Sequence, residues 1–292
     1  HTKMAAKAAF LVGCGFTPPF SYHSLVRVSR FLAKWGFLMP KIAFNTANLV
    51  ARVSGYEFSL SNWGAQHAQT VAQTDAREFN AICAEIAAAG YKSIELWAAH
   101  ADPSVFTPAK AKAWREILDS HSLEAIAYAG GLSEQTAQIC QWLEIPIIAG
   151  GGRPDNLDEA RALCQKFGVR YAFENHPQKS SEEILAQIGG KSDEFLGIAV
   201  DTGWLGTQGL DCPQIIRELN GAVFHVHLKD VRAAGGHETC ELGTGVVNVE
   251  GCLAALKEIG YSGDFSWEDE PEDRNPFDIA PQMLRWIASR VG

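Results

Sequence analysis

Four short apolar runs in the second half of the chain each end in a residue able to bind a metal ion: Tyr171-Ala-Phe-Glu174, Ile198-Ala-Val-Asp201, Val223-Phe-His-Val-His227 and Phe265-Ser-Trp-Glu268. One carboxylate at a strand end is an ordinary turn residue, but consecutive runs that all end this way point to a shared site. The set Glu174, Asp201, His227 and Glu268 is rich in oxygen. It suits one hard or borderline divalent cation, Mn²⁺ first with Mg²⁺ or Co²⁺ as alternatives, rather than a thiolate-preferring ion. Such an ion keeps coordination positions for adjacent oxygens of a sugar-like substrate and polarises a carbonyl, so that the neighbouring C–H becomes acidic. The chemistry expected is proton transfer next to a carbonyl.

That reaction also needs a base and groups that hold hydroxyls. Glu174 and Glu268 can face a substrate from two sides and serve as both ligand and acid–base group. His176 is a second candidate base, and Lys229 and Arg232 can neutralise a developing oxyanion or hold a polar substituent. His225 and His227 alternate with apolar residues and so share a face. His227, nearer the end of its run, is taken as the ligand, with His225 as a hydrogen-bonding residue behind it. Trp97, His100 and Trp204 lie near strand ends and are assigned to the substrate, aromatic faces against C–H groups; for Trp267 core packing explains as much. Gly150-Gly151-Gly152 and Gly243-Thr-Gly245 lack the Walker lysine and the dinucleotide fingerprint, and read as places of close backbone approach.

These residues need a frame, and from Lys41 the chain supplies one. Strands are expected at 41–46, 93–97, 123–128, 146–149, 170–174, 196–201, 223–228 and 264–268, each rich in β-formers. Helix-like segments alternate with them at 74–90, 108–120, 133–143, 157–167, 181–188, 212–219, 249–259 and 277–290. Ser133 and the glycines after several helices supply caps. After the first strand a long polar loop is expected through Trp63 and His67. Eight strands alternating with helices predict a (β/α)8 TIM barrel, a single domain over 41–292, whose strand ends converge on one face.

Composition agrees with that class. The chain has 292 residues, 47% hydrophobic and 20% charged, as in a soluble globular protein with a large core, and its net charge of −9 disfavours a nucleic-acid partner. Its 7 cysteines are odd in number and without a Cys-x-x-Cys pair, which reads as reduced thiols in a cytoplasmic protein. No apolar stretch is long enough to span a bilayer. Residues 1–40 read as an N-terminal extension, non-native or poorly ordered. Within it Met4–Cys14 superficially resembles a lipoprotein cleavage site with too short an apolar core, and Ser24–Leu38 an amphipathic helix with Arg27, Arg30 and Lys34 on one side.

In their order, Glu174-Asn-His-Pro, Asp201-Thr-Gly-Trp, His225-Val-His-Leu-Lys-Asp-Val-Arg232, Gly243-Thr-Gly245 and Trp267-Glu-Asp-Glu270 resemble the xylose-isomerase-like barrel superfamily of sugar phosphate isomerases and epimerases. The resemblance covers about residues 41–292, and its most specific part is His-x-His-x-Lys-Asp. It implies metal ligation by Glu174, Asp201, His227 and Glu268, and an acid/base pair formed by Glu174 and Glu268. It implies a metal-dependent isomerase or epimerase acting on a small sugar or keto-sugar through a metal-bound enediolate, either as a homo-oligomer or with a small partner subunit. The His-Val-His-Leu-Lys-Asp-Val-Arg segment is also similar to inosose dehydratases, and Lys41-Ile-Ala-Phe-Asn-Thr-Ala-Asn-Leu49 to barrel subunits of C-glycoside-cleaving enzymes, so a lyase using the same enolate is the alternative. Trp204 stands where ketose epimerases usually carry a substrate-binding histidine. The family's abasic-site endonucleases, which need additional histidines, fit this acidic chain poorly.

Overall fold

The computed structural model describes residues 39–57 and 59–291. The expected lipoprotein-like segment and amphipathic helix lie outside the described residues. Eight parallel strands close on themselves: β1 (Ile42–Asn45), β2 (Ser93–Trp97), β3 (Glu124–Ala129), β4 (Ile147–Gly150), β5 (Arg170–Glu174), β6 (Leu196–Asp201), β7 (Val223–Leu228) and, after a small hairpin, β10 (Phe265–Trp267). The closing pair aligns Ile42 with Phe265 and Phe44 with Trp267. The barrel is the (β/α)8 architecture expected.

The helices form where capping and apolar spacing agree. In α2 (Ala76–Ala88), Asp75 accepts the Glu78 N–H, and Phe79, Ile82, Cys83 and Ile86 bury one face. Burying each of Phe79, Ile82 and Ile86 contributes roughly 1.5–3 kcal/mol. Thr107 caps α3 (Pro108–Ser120), and Ser133 with Thr136 forms a capping box on α4 (Glu134–Leu143). Next come α5 (Leu157–Phe167), α6 (Ser181–Ala186), α7 (Thr202–Thr207), α8 (Cys212–Leu219), α9 (Val249–Glu258) and α10 (Ala280–Val291).

Three features depart from the expected layout. The long loop after β1 contains 3-10 turns and a true helix, α1 (Trp63–Gln73), which buries only Gln66 and Thr70 and so carries a weak apolar period. Asp201 caps the short α7 directly from the end of β6. Beyond β7 the chain forms a two-stranded antiparallel hairpin, β8 (Asp230–Val231) with β9 (Thr239–Cys240). Other boundaries fall within a few residues of expectation.

Two apolar clusters sit on opposite sides of the barrel wall. The large side chains, Phe44, Ile94, Leu96, Tyr128, Ile148, Tyr171, Ile198 and Trp267 among them, pack in one cluster with the helices. A separate cluster of Ala43, Ala127, Ala149, Ala172 and Ala199, with Ile126 and Ile147, marks the inward positions. Those alanines leave room inside for polar groups two residues further along: Asn45, Glu174 and Asp201. The described cysteines Cys83, Cys140, Cys164, Cys212, Cys240 and Cys252 are free and buried.

Candidate metal and substrate site

Glu174 and Asp201 end β5 and β6, His227 lies one residue before the end of β7, and Glu268 follows β10. Each offers one ligand atom, and these four atoms lie within 4.8 Å of one another. Strand register brings them there. Ile198 pairs with Val223, but a shift puts Ala199 opposite His225 and Asp201 opposite His227. Without that bulge Asp201 would face Val226, so one extra residue in β7 delivers the imidazole. Two asparagines then fix the strand ends. Asn175 donates to the Asp201 carbonyl at 3.1 Å and accepts the Asp201 N–H at 2.9 Å. Asn48 does the same beside Glu268, donating to the Trp267 carbonyl at 3.2 Å and accepting the Asp269 N–H at 2.8 Å.

Buried carboxylates surround one imidazole. His227 Nδ1 stands 2.8 Å from Glu174 Oε1 and 3.0 Å from Glu268 Oε2, while Nε2 meets Glu95 Oε1 at 3.0 Å. Burial opposes a charged imidazole, yet the carboxylates of Glu95, Glu268 and Glu174 raise the His227 pKa well above its ordinary value. A position that holds a proton so firmly among carboxylates also suits a metal ion. Asp201 Oδ1 caps α7 at Trp204, but its buried Oδ2 has no hydrogen-bond partner and lies 3.7 Å from Lys229 Nζ. Burial raises the Asp201 pKa to about 6, with Lys229 pulling the other way. An unpartnered buried carboxylate oxygen within reach of three other donors fits a divalent ion, as does the mixed oxygen–imidazole set.

Several residues beyond those expected from sequence complete this site. Glu95, fully buried on β2, bridges the ring nitrogens Nε2 of His225 and His227, each at 3.0 Å. Burial raises its pKa, but the two imidazoles bring it down to about 2. His225 also meets Ser266 Oγ at 3.0 Å, the hydrogen-bonding position expected for it behind His227. Asn45 Nδ2 donates to Glu268 Oε2 at 2.9 Å. Lys229 Nζ donates to Glu268 Oε1 at 2.8 Å and Glu270 Oε2 at 2.5 Å. Burial pushes Glu270 up to about 8 against the pull of Lys229. The inward parity of Ser93-Ile-Glu95 with Trp97 was the signal for Glu95; nothing local marked Glu270.

The ligand cluster opens on a cavity of about 520 Å³. Of the residues assigned from sequence, Trp97, Glu174, His176, Trp204, His227, Lys229 and Glu268 line it. His176 Nε2 lies 3.5 Å from Glu174 Oε2, and its ring packs on Trp204, centroids 4.8 Å apart. Trp204 in turn meets His237 at 4.9 Å, and Trp63 packs edge-on against Trp97 at 5.4 Å. The floor is bare where Gly150 approaches Gly130: a Cβ on Gly150 would sit 2.5 Å from the Gly130 carbonyl oxygen.

Asp201 joins the cluster without lining the cavity, and two further assigned residues, His100 and Arg232, are brought to neither. His100 is buried beneath Trp97, its Nδ1 3.0 Å from Thr46 Oγ1, because the 3-10 turn after β2 folds it back into the wall. Arg232 is exposed on the hairpin and bonds Glu238 at 2.5 Å. Gly243-Thr-Gly245 is a close approach, as expected. A Cβ on Gly245 would fall 2.2 Å from the Val231 carbonyl oxygen.

Known proteins are similar to this chain in sequence or fold. The chain is similar to an inosose dehydratase of Geobacillus thermodenitrificans (strain NG80-2), 25% identical over 159 residues, spanning 47% of this chain and 53% of that protein. It is similar to an L-ribulose-5-phosphate 3-epimerase of Salmonella paratyphi C (strain RKS4594), 26% identical over 143 residues, 47% of this chain and 49% of that protein. The chain thus spans about half the length of the curated relatives it matches. Among solved structures, a D-allulose 3-epimerase from Methylomonas sp. superposes with a TM-score of 0.64 at 16% identity, over 86% of this chain and 98% of that one, which speaks for the fold. Residues 133–290, more than half of the chain, match the xylose isomerase-like TIM barrel family, and with the closed barrel in place the chain belongs to that family.

Proposed function

We propose that the protein is a divalent-metal-dependent isomerase or epimerase of a small sugar or keto-sugar. The observation that carries this reading is the convergence of Glu174, Asp201, His227 and Glu268 within 4.8 Å, with one buried Asp201 oxygen unpartnered, at the inner end of an aromatic-lined cavity. These four residues would hold one ion, Mn²⁺ first, with Mg²⁺ or Co²⁺ as alternatives. When bound, the ion would supply positive charge to the substrate's carbonyl and neighbouring hydroxyl oxygens, acidifying the C–H between them.

The chain's own groups do the rest. Glu268, its carboxylate steadied by Asn45 and Lys229, takes the proton from that carbon. The electron pair left behind forms the C=C bond of an enediolate, and the former carbonyl oxygen takes the charge, while Lys229, bound to Glu268 and Glu270, holds the base in place rather than meeting that oxygen. Glu174, on a different strand, returns a proton to the opposite face of the same carbon for epimerisation. Return to the neighbouring carbon, with the hydroxyl proton passing to the former carbonyl oxygen, gives isomerisation. Trp97 and Trp204 offer aromatic faces to the substrate's C–H groups. Replacing Glu268 with Gln is expected to cut turnover by about 10²–10⁴-fold with the fold retained; near-normal turnover ends its role as base.

A lyase is the second reading, favoured by His176. It lines the cavity 3.5 Å from Glu174 and could protonate a departing oxygen when the same enediolate expels a β-substituent. Product mass separates the two: unchanged for an isomerase, reduced by water or an aglycone for a lyase. Stripping with chelator and restoring with Mn²⁺, Mg²⁺, Co²⁺ or Zn²⁺ tests the common first step. Full turnover in stripped protein removes both readings. Cytoplasmic residence and a homo-oligomer or small partner subunit complete the proposal, the former in keeping with the free buried cysteines.

A further inference from the structure

The charge lining of the cavity decides between free and phosphorylated substrates, a question that rests on the carbonyl-enzyme reading above. A phosphate ester carries close to two negative charges at neutral pH and is held by uncommitted Arg or Lys groups or by clustered backbone N–H groups. Among the described residues lining the cavity, Lys229 is the one lysine or arginine, and Glu174, Glu268 and Glu270 stand against it. Its ammonium is spoken for: Glu268 at 2.8 Å, Glu270 at 2.5 Å and Asp201 at 3.7 Å. Arg232, the other cation assigned from sequence, points away to Glu238.

Outside the cavity lining, the one turn near it among the described residues that is shaped like an anion loop is filled by the chain itself. The turn from Gly243 to Val247 aims its backbone N–H groups inward as a phosphate loop would, but they close on a carboxylate of the chain itself. Asp230 Oδ2 accepts from Gly243 and Gly245, each at 2.9 Å, and Oδ1 from Val247 at 3.0 Å. Asp230 is fully buried, so no external anion competes for those donors.

We infer that the cavity takes an uncharged polyhydroxylated carbonyl compound and turns away its phosphate ester, and that Glu270 is the specificity-determining residue, because it closes Lys229 to an anion from outside. The aromatic walls fit this. Trp63, Trp97 and Trp204 meet C–H faces, and they bring no charge to the remote end of a substrate.

Metal-loaded protein in D₂O tests the inference with matched pairs, D-fructose against D-fructose 6-phosphate and D-ribulose against D-ribulose 5-phosphate, following deuterium entry beside the carbonyl by NMR. The free sugar is expected to exchange with kcat/KM at least ~10-fold above its ester, and Glu270→Gln to shift that ratio by ~10-fold or more toward the ester. Preference of the native protein for the ester in both pairs overturns the inference and leaves the proton-transfer chemistry standing. Exchange into neither member of any pair overturns the chemistry and the inference with it. A ratio unmoved in Glu270→Gln protein of native circular dichroism removes Glu270 from the role.

Discussion

At the scale of single residues, the site is a set of acids and bases whose states are set by their neighbours. Glu95 touches no cavity surface, yet it orients His227 by accepting from Nε2, leaving Nδ1 to face Glu174 and Glu268. Replacing it with Gln removes the charge that fixes the ring, and metal affinity is expected to fall by about 10–100-fold, measured by calorimetry on stripped protein. Unchanged affinity would remove it from that role. His100 offers a pH prediction away from the ligands. Burial brings its pKa down from 6.5 to about 3, so between those values the unfolded chain binds a proton that the folded one does not. Stability therefore rises with pH in that window, and His100 contributes a loss of at most about 1.4 kcal/mol per pH unit as acid is added below about 6.5. Urea titrations at pH 7 and pH 4.5 should show a smaller acid-induced drop in His100→Gln than in the native protein.

At the scale of elements, β5, β6 and β7 were legible to the residue, because their apolar runs end abruptly at Glu174, Asp201 and Leu228. The four residues that cluster at the strand ends could be named for the same reason. What the sequence could not carry was register: nothing in Val223-Phe-His-Val-His announces the bulge that sets His227, rather than Val226, opposite Asp201. Helix α1 escaped notice because its buried positions are Gln66 and Thr70. The β8–β9 hairpin escaped because two-residue strands leave no period, and Arg232 was misplaced with it. That hairpin and the following turn depend on Asp230, which accepts N–H groups from Val231, Gly243, Gly245 and Val247. Asp230→Asn is expected to cost roughly 1–3 kcal/mol in denaturant unfolding, and the hairpin carrying His237 should lose amide-exchange protection first. Native-like protection in the variant would show the turn to be held by other contacts.

At the scale of the whole molecule, every pairing of the closed barrel lies between Ile42 and Trp267, and no helix among the described residues is long and apolar enough to cross a membrane. The barrel's larger consequence is to gather side chains 94 positions apart in sequence, Glu174 to Glu268, around one point. Whether that point receives a cation is best read by titrating Mn²⁺ into chelator-stripped native, Asp201→Asn and His227→Gln proteins and following bound ion by electron paramagnetic resonance. A single tight ion is expected in the native chain, with affinity lowered by at least ~10-fold in both variants. Absence of bound ion in the native protein, or equal binding in all three, would contradict it.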